Sequence, residues 1–171
     1  MKNAALLTII CLVVLTGFTP KTDSKSNIGY INSNELLESM PERDTAQKEL
    51  EAFAQSLEND LMQMQQEYQT KIKAFQEKEA EMSKPLRETK IKEIQDLEKR
   101  INQFQKDAQR DLDLKETALI QPILDAAQKA IDEVAAEQGI EYVLDSGTGV
   151  TLVTPTEGDL MPLVKKKLGI Q

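Results

Sequence analysis

Histidine and tryptophan are absent from the 171 residues, cysteine occurs once, and aromatic residues make up only 4% of the chain. Without imidazole there is no histidine base, no Ser-His-Asp or Cys-His nucleophile, and hardly a transition-metal site of the usual kind. So few aromatics leave little material for a thick globular core, and burial has to come from many small contacts. A formal charge of -8, from 21 Lys+Arg against 29 Asp+Glu, argues against nucleic acid as the main partner, because phosphate neutralisation needs a basic face. What is present, 40% hydrophobic and 29% charged residues, suits one elongated helical domain.

The longest apolar run is N-terminal. Lys2 precedes an apolar stretch over residues 4–14, followed by Leu15, Thr16, Gly17, Phe18, Thr19 and Pro20. A spanning helix needs about 20 apolar residues, so this pattern reads as a secretory signal over residues 1–22, with cleavage expected between 19 and 26. Cys11 follows the bulky Ile10, where a lipidation signal wants a small residue. If Cys11 leaves with the signal, the exported protein has no thiol and no disulfide to stabilise it.

Residues 28–32 (IGYIN) form a short β-prone segment that needs a partner strand. Ser33 or Asn34 is a candidate cap for a short helix through Leu36, Leu37 and Met40, with Pro41 ending it or opening the next. Ala46, Leu50, Phe53, Leu57, Leu61, Met64, Tyr68, Ile72 and Phe75 then recur at spacings of 3 and 4, with an 11-residue repeat that favours a nearly straight coil. Pro85 suits the first turn of a new helix and marks a hairpin tip near 83–85. The return helix carries Ile91, Ile94, Leu97, Ile101, Phe104, Ala108, Leu112 and Leu119. Two such amphipathic helices can zip into an antiparallel arm over residues 42–119, one interrupted helix in a parallel coiled coil being the alternative.

Gln121-Pro122 reads as a second break, near which the arm would hinge, followed by a small-residue helix capped by Gly139. Residues 140–145 and 149–154 read as a β-hairpin turned at Ser146-Gly147-Thr148, and a last helix covers about 159–168. The expected fold class is α+β, mostly α: a long helical-hairpin coiled-coil arm on a small β body made from residues 23–41 and 120–171. One copy of so thin a body leaves apolar faces and strand edges for assembly to cover. The candidate oligomerisation residues are Ile28, Tyr30, Ile31, Val143, Leu144, Val150 and Leu152.

This order of segments resembles the Skp/OmpH family of periplasmic chaperones for outer-membrane proteins. The resemblance rests on IGYINSNELLESMP (28–41), the charged hairpin, ILDAAQKAIDEVAAEQGIEYVLD (123–145) and the closing GDLMPLVKKKL. It implies a jellyfish-like homotrimer in the periplasm, whose strands share a β body and whose arms enclose a cavity for unfolded outer-membrane proteins. It implies no cofactor and no catalysis. Leu160-Met161-Pro162 and the acidic overall charge depart from the family's usual pattern.

Other chemistry is thinly supported by the residues. Gly147 and Gly149 lack the lysine and length of a phosphate loop. Carboxylates such as Asp111 and Asp113 diverge on a helix and fit a solvated face better than a metal site. No catalytic or metal-ligating residue is expected. Between residues 42 and 70 seven acids face two bases, net -5, whereas between 71 and 100 nine bases face seven acids, net +2. A mildly basic tip can attract an acidic client or an anionic membrane surface, or can serve solubility alone. With Phe53, Tyr68, Phe75 and Phe104 all on the core stripes, no aromatic anchor is spare. Client binding is therefore expected to be distributed over Met62, Met82 and the cations Lys71, Lys73, Lys78, Lys84, Arg87, Lys90 and Lys92. A structural adaptor holding one folded partner is the competing function, and folded-versus-unfolded preference separates the two.

Overall fold

A computed structural model describes residues 27–151 and 153–170. The expected signal over 1–22, its cleavage site, Cys11 and candidate Leu152 lie outside these residues. In chain order the elements are β1 (Ile28–Ile31), α1 (Ser33–Ser39), α2 (Pro41–Lys78), a 3-10 turn (Glu79–Glu81), α3 (Lys84–Gln138), β2 (Tyr142–Asp145) and α4 (Met161–Lys167).

Helix α1 is capped neither by Ser33 nor by Asn34. Asn32 takes that place, its side-chain oxygen accepting from the Glu35 N–H at 3.2 Å. The Ser33 hydroxyl is instead committed to Asp145. Pro41 opens α2 at a first-turn position, where the missing N–H costs nothing. At about 1.5 Å per residue α2 and α3 are long rods, and they are folded back on each other. Lys115 pairs with Glu49 near the base, while Lys71, Phe75, Lys90 and Ile94 meet at the tip, so the helices run antiparallel.

The α2 stripe lies in the seam as its spacing predicts: Leu50, Phe53, Leu57, Leu61, Met64, Tyr68, Ile72 and Phe75 are all half-buried. On α3 the seam passes through Ile94, Leu97, Ile101, Phe104, Ala108 and Leu112, but Ile91 stands outside it. Stepping back from Ile94 by 4 and then 3 lands on Lys90 and Arg87, which are half-buried where the stripe predicted isoleucine.

Two further expectations are overturned. Helix α3 does not stop at Gln121-Pro122 but runs through Pro122 to Gln138. Proline removes one N–H and crowds one carbonyl of the preceding turn. Against that cost, Ile123, Ala127, Ala130 and Val134 follow at helical spacing and are all buried, and Leu119 packs against the same core from the other side of the proline. The helix ends where expected, at Gly139, whose φ of 69° is the left-handed value a C-terminal cap needs.

The second correction is the β-hairpin. β2 pairs with β1 and in parallel, with Ile28 opposite Tyr142 and Ile31 opposite Asp145. The described residues of 149–154 form no strand. Ser33 holds the end of β2 through the Asp145 carboxylate, which also accepts from the Gly147 N–H at 2.8 Å and so turns the chain off the sheet. When the chain comes back it meets the other edge of β1: the Tyr30 N–H donates to Gly158 at 2.9 Å and the Leu160 N–H to Tyr30 at 3.0 Å. The parallel pairing needs a long crossover, and the whole helical arm supplies it.

The core belongs to the body. Ile31, Leu36, Met40, Ala46, Ile123, Ala127, Ala130, Val134, Leu160, Met161 and Val164 form one buried cluster. In the arm, apart from Ala46 at its base, only Leu97 and Ile101 are buried. Gly147 sits close against the cap of α1, where an added Cβ would lie 2.5 Å from the Asn32 side-chain oxygen. Gly147→Ala is therefore expected to displace that cap and cost about 1 kcal/mol, the usual worth of an N-cap, read as a lowered midpoint of urea unfolding.

Candidate functional site

Two surfaces are candidates, the arm with its tip and the outer face of the sheet. At the tip, Lys71, Lys78, Met82 and Lys90 line one cleft of about 230 Å³ together with Phe75, Glu93 and Ile94. The Lys90 ammonium donates to both Glu93 oxygens, at 2.9 and 3.0 Å, and holds that carboxyl below its usual range, with Lys71 adding to the effect. Lys71 also pairs with Glu67 at 3.5 Å. Arg87 donates from Nη2 to the Glu79 carbonyl at 3.3 Å, bracing the 3-10 turn, while its Nε is buried without a partner. Thus Lys71, Arg87, Lys90 and Met82 take part in closing the tip. Lys73, Lys78, Lys84 and Lys92 are exposed and carry no ion pair among the described residues.

Met62 is 51% exposed, off the seam. It borders a shallow mid-arm groove of about 560 Å³ between α2 and α3. Leu86, Ile91 and Leu114 are also exposed along the arm. Leu86 and Leu114 were not singled out from the sequence, and Ile91 was expected in the seam. For Ile91 the signal was available in the 3-and-4 spacing back from Ile94, which bypasses it.

The sheet alternates as a half-buried sheet should. Gly29 and Ile31 face the core, and Val143 packs against it. Ile28, Tyr30, Tyr142 and Leu144 share the opposite face, where the register pairs Ile28 with Tyr142 and Tyr30 with Leu144. Tyr142 is 65% and Leu144 47% exposed. Nearby in sequence, Val150 is 83% exposed. Of the oligomerisation candidates, then, Ile31 and Val143 serve the chain's own core, while Ile28, Tyr30, Leu144 and Val150 remain outside it. Tyr142, two residues before Leu144, belongs with them, as the period-2 rule indicates.

Asp145 ties this sheet to α1. Its carboxyl is held below the usual carboxylate range chiefly by the Ser33 hydroxyl at 2.6 Å, then by the backbone N–H groups of Ser33 and Gly147. A carboxyl that ionises more readily when folded adds stability above its unfolded value, near pH 4, and loses it as pH falls through the lower folded value. Asp145→Asn should therefore cost about 1 kcal/mol at neutral pH, discounted for partial exposure. In urea titrations the gap to the unmodified protein should close in acid, once the native carboxyl is protonated as well.

Among the described residues no three acidic, histidine or cysteine side chains gather as a metal site, and no helix is long and apolar enough to cross a membrane. The architecture is that of a helical-hairpin protein on a small mixed body, presenting its chemistry along an open arm. The family model for OmpH, outer membrane protein (OmpH-like), matches residues 27–168, and the chain belongs to that family. The chaperone protein Skp of Photorhabdus luminescens is 25% identical over 137 residues, covering 78% of this chain and 81% of the relative. Skp of Photorhabdus laumondii subsp. laumondii matches to the same extent. A Caulobacter crescentus protein, described as an OmpH-like outer membrane chaperone, has a crystal structure with the same fold, at a TM-score of 0.73 and 16% identity over 84% of this chain and 83% of that one.

Proposed function

We propose that this chain is a periplasmic holdase chaperone that keeps unfolded outer-membrane proteins from aggregating in a cavity between its arms. Three copies assemble through the outer sheet face of their bodies, built from residues 23–41 and 120–171, and the arms, 42–119, hang from it. The observation that carries this reading is the arm itself. Its aromatic side chains lie in the seam, while isolated apolar groups (Met62, Leu86, Ile91, Leu114) and unpaired lysines are dispersed over its surface. Such a surface favours many weak contacts with a flexible chain over one strong contact with a folded partner. The exposed tip cations Lys73, Lys78, Lys84 and Lys92 add attraction at a distance, toward acidic clients or an anionic membrane surface. Membership of the OmpH-like family and similarity to Skp chaperones support the same conclusion.

The test is dilution of a urea-denatured outer-membrane barrel protein into buffer with and without this protein, followed by light scattering. Scattering is expected to be suppressed at a fixed stoichiometry, with no nucleotide added. Unchanged aggregation, together with tight capture of one folded periplasmic protein, would put the adaptor function in its place.

A further inference from the structure

The mid-arm groove carries an arrangement that neither the apolar stripe nor the charge pattern explains. Its walls are primary amides: Gln65, Gln66 and Gln69 from α2 face Asn102 from α3, with Met62 and Tyr68 beside them. Glu98 is the one charged residue of the lining. Elsewhere several glutamine amides are spent on carboxylates one turn away, as Gln47 on Glu51, Gln103 on Asp107, Gln109 on Asp113 and Gln121 on Asp125. Gln63, Gln76, Gln95, Gln105 and Gln138 make no side-chain hydrogen bond among the described residues, but they do not gather in one groove as these four do. Of the groove amides only Asn102 has a carboxylate one turn away, Glu98, and it does not bond it. Four residues beyond Gln65, Gln66, Gln69 and Asn102 stand Gln69, Thr70, Lys73 and Lys106, and none of the four amide side chains makes a hydrogen bond among the described residues.

We propose that this groove binds the backbone of an extended stretch of unfolded polypeptide, irrespective of its sequence. The inference rests on the holdase reading and specifies how an arm holds its client. A primary amide offers both a donor and an acceptor, so it can serve a peptide N–H or C=O alike. Gln65 and Gln69 are one turn apart, about 6 Å along the helix axis. Peptide groups pointing to one side of an extended strand repeat every two residues, about 6.8 Å. The two spacings match closely enough for successive same-side peptide groups to meet successive amides. Met62 and Tyr68 give apolar contact to the side chains that flank the bonded strand. Near-neutral amides also spare the site from choosing between acidic and basic segments, which a client of mixed charge requires.

The experiment compares two fluorescent ten-residue peptides of alternating valine and threonine, one unmodified and one N-methylated at every residue so that neither edge keeps a donor, by anisotropy with the full-length assembly. The unmodified peptide is expected to bind about fivefold more tightly, the effect of roughly one net hydrogen bond. In the variant Gln65→Ala/Gln66→Ala/Gln69→Ala/Asn102→Ala the two peptides should bind equally. Alanine is the better helix former, so the arm stays folded, as unchanged circular dichroism would verify. Equal binding of both peptides by the unmodified protein, or a preference that survives in the variant, overturns the proposal. Failure of the holdase reading would show separately, as unchanged aggregation of the denatured barrel in the presence of the unmodified protein.

Discussion

A Leu144→Asp chain is expected to run as a monomer at concentrations where the unmodified protein forms the proposed oligomer. Leu144 shares the outer sheet face with Ile28, Tyr30 and Tyr142, and its register partner is Tyr30. In a single copy that face meets solvent, so the aspartate costs the isolated chain almost nothing. In the proposed assembly the same carboxylate would be enclosed by the apolar residues of neighbouring copies without a cation to pair with. An unpaired charge so placed costs several kcal/mol, which translates into a loss of association of about 100-fold or more. Light scattering or native mass measurement reads the outcome directly. A variant that keeps the oligomeric state of the unmodified protein would remove the sheet face from the interface, and a monomeric unmodified protein would remove the interface altogether. Tyr30→Asp should act in the same direction.

The largest loss of fold stability is expected at Leu36. Leu36 and Val164 are the largest fully buried side chains of the chain's described residues, and Leu36 lies in the one cluster that joins α1 to α3 and α4. Leu36→Ala removes three heavy atoms from a body too small to close over the gap. The cost should be about 3 kcal/mol, a large fraction of the stability of any small domain. Tyrosine fluorescence in a Tyr68→Phe background, sensitive then to Tyr30 and Tyr142 in the sheet, and far-ultraviolet circular dichroism, dominated by the arm, would follow the two regions. Both should show an earlier transition, because beyond its base the arm buries only Leu97 and Ile101 and relies on the body to hold its ends together. Leu36→Met, close in volume, should cost under about 1.5 kcal/mol.

Much of this architecture was legible in the sequence because helices write their period into it. The α2 stripe, the tip at Pro85 and the cap at Gly139 depend on neighbours within one or two turns, and each stands where the spacing indicates. The same local logic failed at Pro122. There the sequence shows only the proline, whereas the outcome depends on Ile123, Ala127, Ala130 and Val134 being buried beneath α1 and α4, more than 20 residues away in either direction. It failed again at residues 149–154. Their β-branched composition predicts a strand, but strand pairing is a contest among edges, and β2 finds its partner in β1, some 114 residues earlier. The Ser33 hydroxyl on Asp145 helps decide it, a contact 112 residues apart in sequence.

The candidate surfaces divide in the same way. Composition alone pointed to one elongated helical domain and excluded chemistry that needs histidine, because both depend on which residue types exist at all; the hairpin on a thin body came from spacing and Pro85. Which cations are free and which are committed was decided by the fold: Arg87 and Lys90 occupy seam positions and are bound to the Glu79 carbonyl and to Glu93, while Lys73 and Lys92, of the same chemistry, face solvent. Likewise Ile31 and Leu144 are equally apolar in sequence, and only the parallel register turns one into the core and the other outward. The amides of Gln65, Gln66, Gln69 and Asn102 come from positions more than 30 residues apart, and antiparallel packing of α2 on α3 brings them to one groove. The chain's own order specifies which elements can form, by short-range period and capping; pairing across long separations, where loop-closure entropy must be repaid by packing, decides which faces remain to do work.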